Sequence, residues 1–181
     1  ISIINCSWGG TGYSMFEQEL INMCVEDYNA LIFGAAGNEN IEQAHYPSSY
    51  NNVISVTALG QNNSWNHWAT YHSTVDLASP GESIQSCVNN GNGYSSWAGT
   101  SMATPVAASV AGLMKSLNPN WDRAQIETMI IATADPIIYD VNPESYLEEK
   151  LGSGRVDAFK AITTPLFPSI QLEGVDIYIQ N

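Results

Sequence analysis

The chain has 181 residues and a formal net charge of −13, with 18 Asp and Glu against five Lys and Arg. An acidic balance of this size repels nucleic acid and anionic membrane surfaces, so neither is an expected partner, and it reads either as a surface that attracts cationic peptides or as an acidic, soluble, secreted surface with no bearing on specificity. All five basic residues stand at or after Lys115, no apolar run is long enough to span a bilayer, and the three cysteines are too few and scattered for a disulfide framework or a zinc site.

Ile1 to Cys6 is an apolar run that begins abruptly, with no cap, leader or polar tail ahead of it. It reads as a central strand entered part-way through a domain, and it ends in Ser7-Trp8-Gly9-Gly10. After a turn at Thr11 to Ser14, Met15 to Tyr28 is predicted as an amphipathic helix. Phe16, Leu20, Cys24 and Tyr28 recur at helical spacing and are expected to face inward, with Ile21 and Val25 beside them. Ala30 to Ala36 suits a buried parallel strand whose end opens into a loop carrying Asn38. Strand, helix and strand then form a right-handed parallel crossover. Both Ser7-Trp8-Gly9-Gly10 and Ala35-Ala36-Gly37-Asn38 fall at strand carboxyl ends, where α/β sheets place their sites.

Val53 to Leu59, rich in β-branched residues, is the next predicted strand. A turn at Gln61 to Ser64 leads to Trp65, Trp68 and Tyr71, which read as core or as the wall of a subsite. Val75 to Ala78 and Ser83 to Val88 are predicted as short strands around a Pro80-Gly81 turn, and Asn89 to Asn92 as a polar loop.

The stretch Gly99 to Pro105, GTSMATP, runs on into a helix of small residues: Ala103, Ala107, Ala108, Ala111 and Gly112. Pro105 is placed in the first turn, where a missing N–H costs little. Ser101 at such a helix start lies among unpaired N–H groups and the positive end of the helix dipole. Those residues alone leave two readings open: a nucleophile, or a serine that caps a buried helix. A further helix is predicted from an Asp122 cap to Thr133, with Ile126, Met129 and Ile130 inward. Asp135 to Lys150 reads as an acidic loop. Gly152 to Ile162, GSGRVDAFKAI, closes the domain with a glycine turn and a short helix. Thr163 to Pro168 reads as a Pro-rich linker, and Ile170 to Ile179 alternates like a strand.

Six stretches, in one order, carry a resemblance: SWGG (Ser7 to Gly10), AAGN (Ala35 to Asn38), YPSSYNNVISVTAL (Tyr46 to Leu59), VDLASPGESIQS (Val75 to Ser86), GTSMATP and GSGRVDAFKAI. Together they resemble the subtilisin-like serine proteases, the subtilases. The resemblance implies an α/β fold, a three-layer parallel sheet flanked by helices, over residues 1–162, with 163–181 a linker and the start of a further β-rich module. It also implies a secreted or cell-surface serine endopeptidase acting on protein or peptide substrates. Ser101 would be the nucleophile and Asn38 the amide donor to the oxyanion. Ser7, Trp8 and Gly9 would pair with substrate backbone, and Ala35, Ala36 and Gly37 would wall the pocket for the residue before the scissile bond. Glu39, at the rim, is expected either to favour Lys or Arg there or to be a solvated loop carboxylate.

A serine hydroxyl needs a base, and the subtilisin order is Asp, His, Ser. Ser101 is the last member, and neither of the others precedes SWGG. This chain is therefore expected to be the C-terminal half of a protease domain, its catalytic Asp and His lying in an N-terminal half that is also its partner. By itself it is expected to be inactive. His45, His67 and His72 lie where the family keeps no base, and none is expected to serve. No metal ligand is assigned; the resemblance allows calcium, yet Asp76 is the only carboxylate in its neighbourhood of the sequence. Two other classes remain, a catalytically silent subtilase-like scaffold and an α/β-hydrolase. The hydrolase is weaker, because its G-x-S-x-G elbow is not met by Gly99, Ser101 and Ala103.

Overall fold

The computed structural model describes residues 1–89 and 93–165. Most of the predicted Asn89 to Asn92 loop, the end of the predicted linker and the alternating run at Ile170 to Ile179 lie outside them. Four parallel strands, β1 (Ser2–Cys6), β2 (Ala30–Ala35), β3 (Val53–Leu59) and β4 (Leu77–Pro80), pair in chain order. The registers run Ile3 with Leu31, Phe33 with Ile54 and Val56 with Leu77.

The alternation of side chains along β2 creates the layers. Leu31 and Phe33 join one buried cluster, while Ala30 and Ile32 join another on the opposite face. The larger cluster is closed by α2 (Thr100–Leu117) and α3 (Arg123–Ala132), the smaller by α1 (Met15–Glu26). The sheet is thus sandwiched between helices, as the resemblance implies. The alanine-rich stripe has a packing role: Ala103, Ala107 and Ala111 are fully buried and let α2 lie close to all four strands. Asp122 caps α3 by accepting the Gln125 N–H at 2.8 Å, and Ile126, Met129 and Ile130 face inward as predicted.

Four predictions are corrected. The inward stripe of α1 is Gln18, Ile21 and Val25, whereas Phe16 is 73% and Tyr28 68% exposed. Two apolar stripes on one helix satisfy the same periodicity, and the choice is made by packing against β2 together with Gln18, which donates to the Asn51 carbonyl and accepts from its N–H. Strand β1 is the outer strand of the described sheet, with Ser2, Ile4 and Asn5 exposed. Ser83 to Val88 contributes β5 (Ile84–Cys87), which leaves the main sheet and pairs antiparallel with an unpredicted β6 (Tyr94–Trp97). The Asp135 to Lys150 segment is not simply a loop. It contains α4 (Ile137–Val141) and a 3₁₀ turn at Ser145–Leu147, because Ile138 and Leu147 are fully buried while the acidic side chains between and after them stay in solvent. Finally, Pro105 stands at the sixth position of α2, in its second turn. The closing helix α5 (Ala158–Thr163), capped by Asp157, agrees with the prediction.

Candidate active site

Three segments meet at the carboxyl end of the sheet: the exit of β1, the exit of β2 and the start of α2. They surround a cavity of about 210 Å³ lined by Trp8 and Gly9 from the first, Ala35, Gly37, Asn38 and Glu39 from the second, and Thr100 and Ser101 from the third. His45 completes the lining. Larger concavities lie elsewhere, one of about 460 Å³ around Asp76 and Gly152, away from Ser101.

Ser101 does not cap α2. The cap position is Gly99, which has no side chain to offer, and the first free N–H of the helix is taken from outside. Thr100 N–H donates to Asn38 Oδ1 at 2.9 Å, and Thr100 Oγ1 donates to the same oxygen at 3.0 Å. A backbone N–H can only donate, so the amide orientation of Asn38 is determined. Asn38 Nδ2 is left with no hydrogen-bond partner among the described residues, in the cavity that Ser101 also lines. Thr100 is fully buried, and its hydroxyl accepts the Gly37 N–H at 3.2 Å. Thr100 thereby fixes the whole Gly37–Asn38 corner.

Ser101 and Ser7 are reciprocally bonded. Ser101 Oγ donates to the Ser7 carbonyl at 3.0 Å, and Ser7 Oγ donates to the Ser101 carbonyl at 2.7 Å. The second bond depends on Pro105. In an uninterrupted helix the residue four positions on would donate its N–H to the Ser101 carbonyl, and proline has none.

Gly37 adopts φ +107°, and a Cβ there would stand 2.8 Å from both Glu39 Oε2 and Thr70 Oγ1. A side chain is excluded on both counts. Glu39 is exposed at the rim, yet its Oε2 accepts the Asn38 N–H at 3.0 Å and the Thr70 hydroxyl at 3.1 Å. Trp8 is 59% exposed and lies between this cavity and an apolar groove beside α1. Ala36 is buried behind the corner and does not line the cavity, unlike Ala35 and Gly37. Among the histidines, His45 alone lines the cavity; its Nδ1 is 3.0 Å from the Ala35 carbonyl. Ser101 Oγ is bonded to Ser7 and not to an imidazole.

Sequence reasoning missed Thr100, Thr70 and His45. A Thr beside a candidate nucleophile is a detectable signal for the first. The other two come from loops whose return to this corner only the fold reveals.

The resemblance allows calcium. A calcium cage needs six to eight oxygen ligands, and no three His, Cys, Asp or Glu side chains gather among the described residues. Asp76 accepts the Ser55 N–H at 2.7 Å through Oδ2. Burial pushes its carboxyl up to about 6, against the lowering effect of that bond and with a raising contribution from Glu127. No helix among the described residues is long and apolar enough to cross a membrane.

Fold and site together define a parallel α/β protein in which a serine at a helix N-terminus shares a cleft with a side-chain amide. A family model described as the subtilase family matches residues 1–159, and the chain belongs to that family. Alkaline elastase YaB of Bacillus sp. (strain YaB) is 37% identical over 132 residues, which are 73% of this chain and 34% of the relative. Thermitase of Thermoactinomyces vulgaris is 36% identical over 160 residues, 88% of this chain and 53% of thermitase. Among solved structures, a protease from Pseudoalteromonas arctica superposes with a TM-score of 0.79 at 29% identity, covering 89% of this chain and 50% of that one. The prenylagaramide maturation protease PagA gives 0.79 at 26% identity, over 89% of this chain and 60% of PagA. The chain thus spans roughly a third to a half of these two curated relatives.

Proposed function

We propose that this chain carries the nucleophile and the oxyanion donor of a secreted subtilisin-type serine endopeptidase. The catalytic Asp and His belong to a part of the domain that the chain does not contain. The observation that carries the reading is the Asn38 amide, held by Thr100 through its oxygen so that its N–H₂ is free in the cavity lined by Ser101. Residues 1–162 are read as the C-terminal part of the protease domain and 163–181 as a linker leading to a further module. The helix α5, ending at Thr163, supports that boundary.

In this reading the Ser101 Oγ–C bond to the substrate carbonyl forms as the hydroxyl proton passes to the imidazole of the other part. The developing oxyanion is met by Asn38 Nδ2–H and the positive end of α2, which stabilise charge that the ground state lacks. Collapse breaks the peptide C–N bond, the imidazole returns the proton to the leaving amine, and water then cleaves the acyl-enzyme by the same route. The Ser7 to Gly9 edge and the Ala35 to Gly37 edge flank the substrate backbone and the side chain before the scissile bond. An acidic surface without basic residues before Lys115 suits an extracellular protein that takes up cationic peptides.

The test is covalent labelling of the full-length protein with a fluorophosphonate, followed by mass spectrometry. Labelling at Ser101, lost in Ser101→Ala and much slower in the isolated chain, is the expected result. Equal labelling of the isolated chain, or none of the full-length protein, overturns the reading.

A further inference from the structure

We infer that Thr70 is a positioning residue for the amide of Asn38, holding the backbone of that residue from the loop after β3 while Thr100 holds its side chain from α2. The inference rests on the proposed peptidase reading and adds to it a residue that does not line the cavity of Ser101. Thr70 is buried, and its backbone and hydroxyl groups are all engaged. Its carbonyl accepts the hydroxyl of Thr57 at 2.9 Å, which ties the loop to β3, a strand buried along its whole length. Its N–H donates to the Gly37 carbonyl at 3.0 Å. Its hydroxyl accepts the Glu39 N–H and donates to Glu39 Oε2, both at 3.1 Å. The same carboxylate oxygen accepts the Asn38 N–H at 3.0 Å. Thr70 therefore grips the residues on both sides of Asn38 and reaches its N–H through Glu39. The strap continues past the corner, with Tyr71 N–H donating to the Ile41 carbonyl and Gln43 N–H to the Tyr71 carbonyl, each at 3.3 Å.

Asn38 is exposed and lies beyond the end of β2, where no strand ladder holds its backbone. Thr100 fixes Oδ1, one end of the side chain, but the place of Nδ2 also depends on where the Cα sits. An oxyanion donor has to be held to within about 0.5 Å of its working position. Its contribution arises only in the transition state. Loosening the backbone under Asn38 therefore lowers kcat and leaves substrate binding nearly as it was. Thr70→Val keeps shape and burial and deletes the hydroxyl that carries two of these bonds.

In the full-length protein on one peptide substrate, Thr70→Val should lower kcat about tenfold with KM within about twofold, and Thr70→Ser should restore most of the loss. A double-mutant cycle with Asn38→Leu gives the readout that a merely structural role would not move. In that background Thr70→Val should change kcat by less than about twofold, because the group it positions is gone. An unchanged kcat, a loss carried by KM, or a loss that persists undiminished beside Asn38→Leu overturns the role of Thr70. If Thr70→Val does not fold, Glu39→Ala replaces it, since that exposed side chain carries the link from Thr70 to the Asn38 N–H. On a substrate uncharged before the scissile bond, it should lower kcat in the presence of Asn38 and not beside Asn38→Leu; equal effects in both overturn the role. Fluorophosphonate labelling of wild-type Ser101 separates the two failures: absent labelling sinks the peptidase reading, whereas labelling with independent effects in the cycle sinks Thr70 alone.

Discussion

Ser7 and Ser101, 94 residues apart in sequence, exchange hydrogen bonds in both directions, each hydroxyl donating to the other's carbonyl. The arrangement couples the exit of β1 to the start of α2, and a proline four residues after Ser101 makes it available. Pro105 removes the N–H that would otherwise hold the Ser101 carbonyl, and Ser7 replaces it. A helix interruption, usually a cost, here docks a helix onto a strand end.

Ser7→Ala should destabilise the chain by about 1–3 kcal/mol, because it leaves a partly buried carbonyl unpaired. In a Pro105→Ala background the restored N–H takes that carbonyl, and the same substitution should cost less, with a coupling of about 0.5–3 kcal/mol. Urea denaturation of the two single variants and the double variant measures it, and strict additivity would remove the explanation.

Thr100 supplies two donors to Asn38 and accepts from Gly37. Thr100→Val keeps the shape and removes the hydroxyl, so it should cost about 1–3 kcal/mol and slow Ser101 labelling in the full-length protein. Thr100→Ser should retain most of both. Asn38→Leu should slow turnover by about 10²–10³, a scale taken directly from the side-chain oxyanion donor of subtilisin itself.

Asp76 gives a pH dependence with a definite sign. Its folded-state carboxyl is pushed up to about 6 from 3.8, so the folded state binds the proton more tightly than the unfolded state does. The stabilisation is fully present below the unfolded value and is lost as pH rises through about 6, roughly 3 kcal/mol in all if the whole shift is expressed. Asp76→Asn keeps an acceptor for the Ser55 N–H. Between pH 4 and pH 7 the wild type should lose stability relative to this variant, as chemical denaturation at each pH would show. Parallel curves would mean that Asp76 is solvated.

The two stripes of α1 predict opposite outcomes. Ile21→Ala, on the buried side, should cost about 2–5 kcal/mol. Phe16→Ser, on the exposed side, should stay within about 0.5 kcal/mol in the chain by itself. Thermal or urea melts of both variants check the packing direct.

A backbone contact makes Gly9 hard to replace. A Cβ there would stand 2.2 Å from the Tyr46 carbonyl oxygen, a position that no rotamer change can relieve. Gly9→Ala should destabilise by more than about 1 kcal/mol and weaken peptide binding at that edge, readable as a rise in KM with kcat less affected.

The residues by themselves determined the strands at Ala30 to Ala36 (Ala30–Ala35 in the structure) and Val53 to Leu59, the Asp122-capped helix, the alanine face of α2 and, through the six ordered stretches, the family. These are local patterns: apolar runs, caps and small-residue spacing depend on neighbours a few positions away. Tertiary structure alone decided which apolar stripe of α1 is buried, that Asn38 rather than Ser101 serves the first N–H of α2, that Pro105 frees a carbonyl for Ser7, and that His45 joins the lining of the cavity. Each of these pairs groups from distant segments. A hydrogen bond or a buried contact of that kind is set by where the sheet places the chain, and no periodicity in the sequence encodes it.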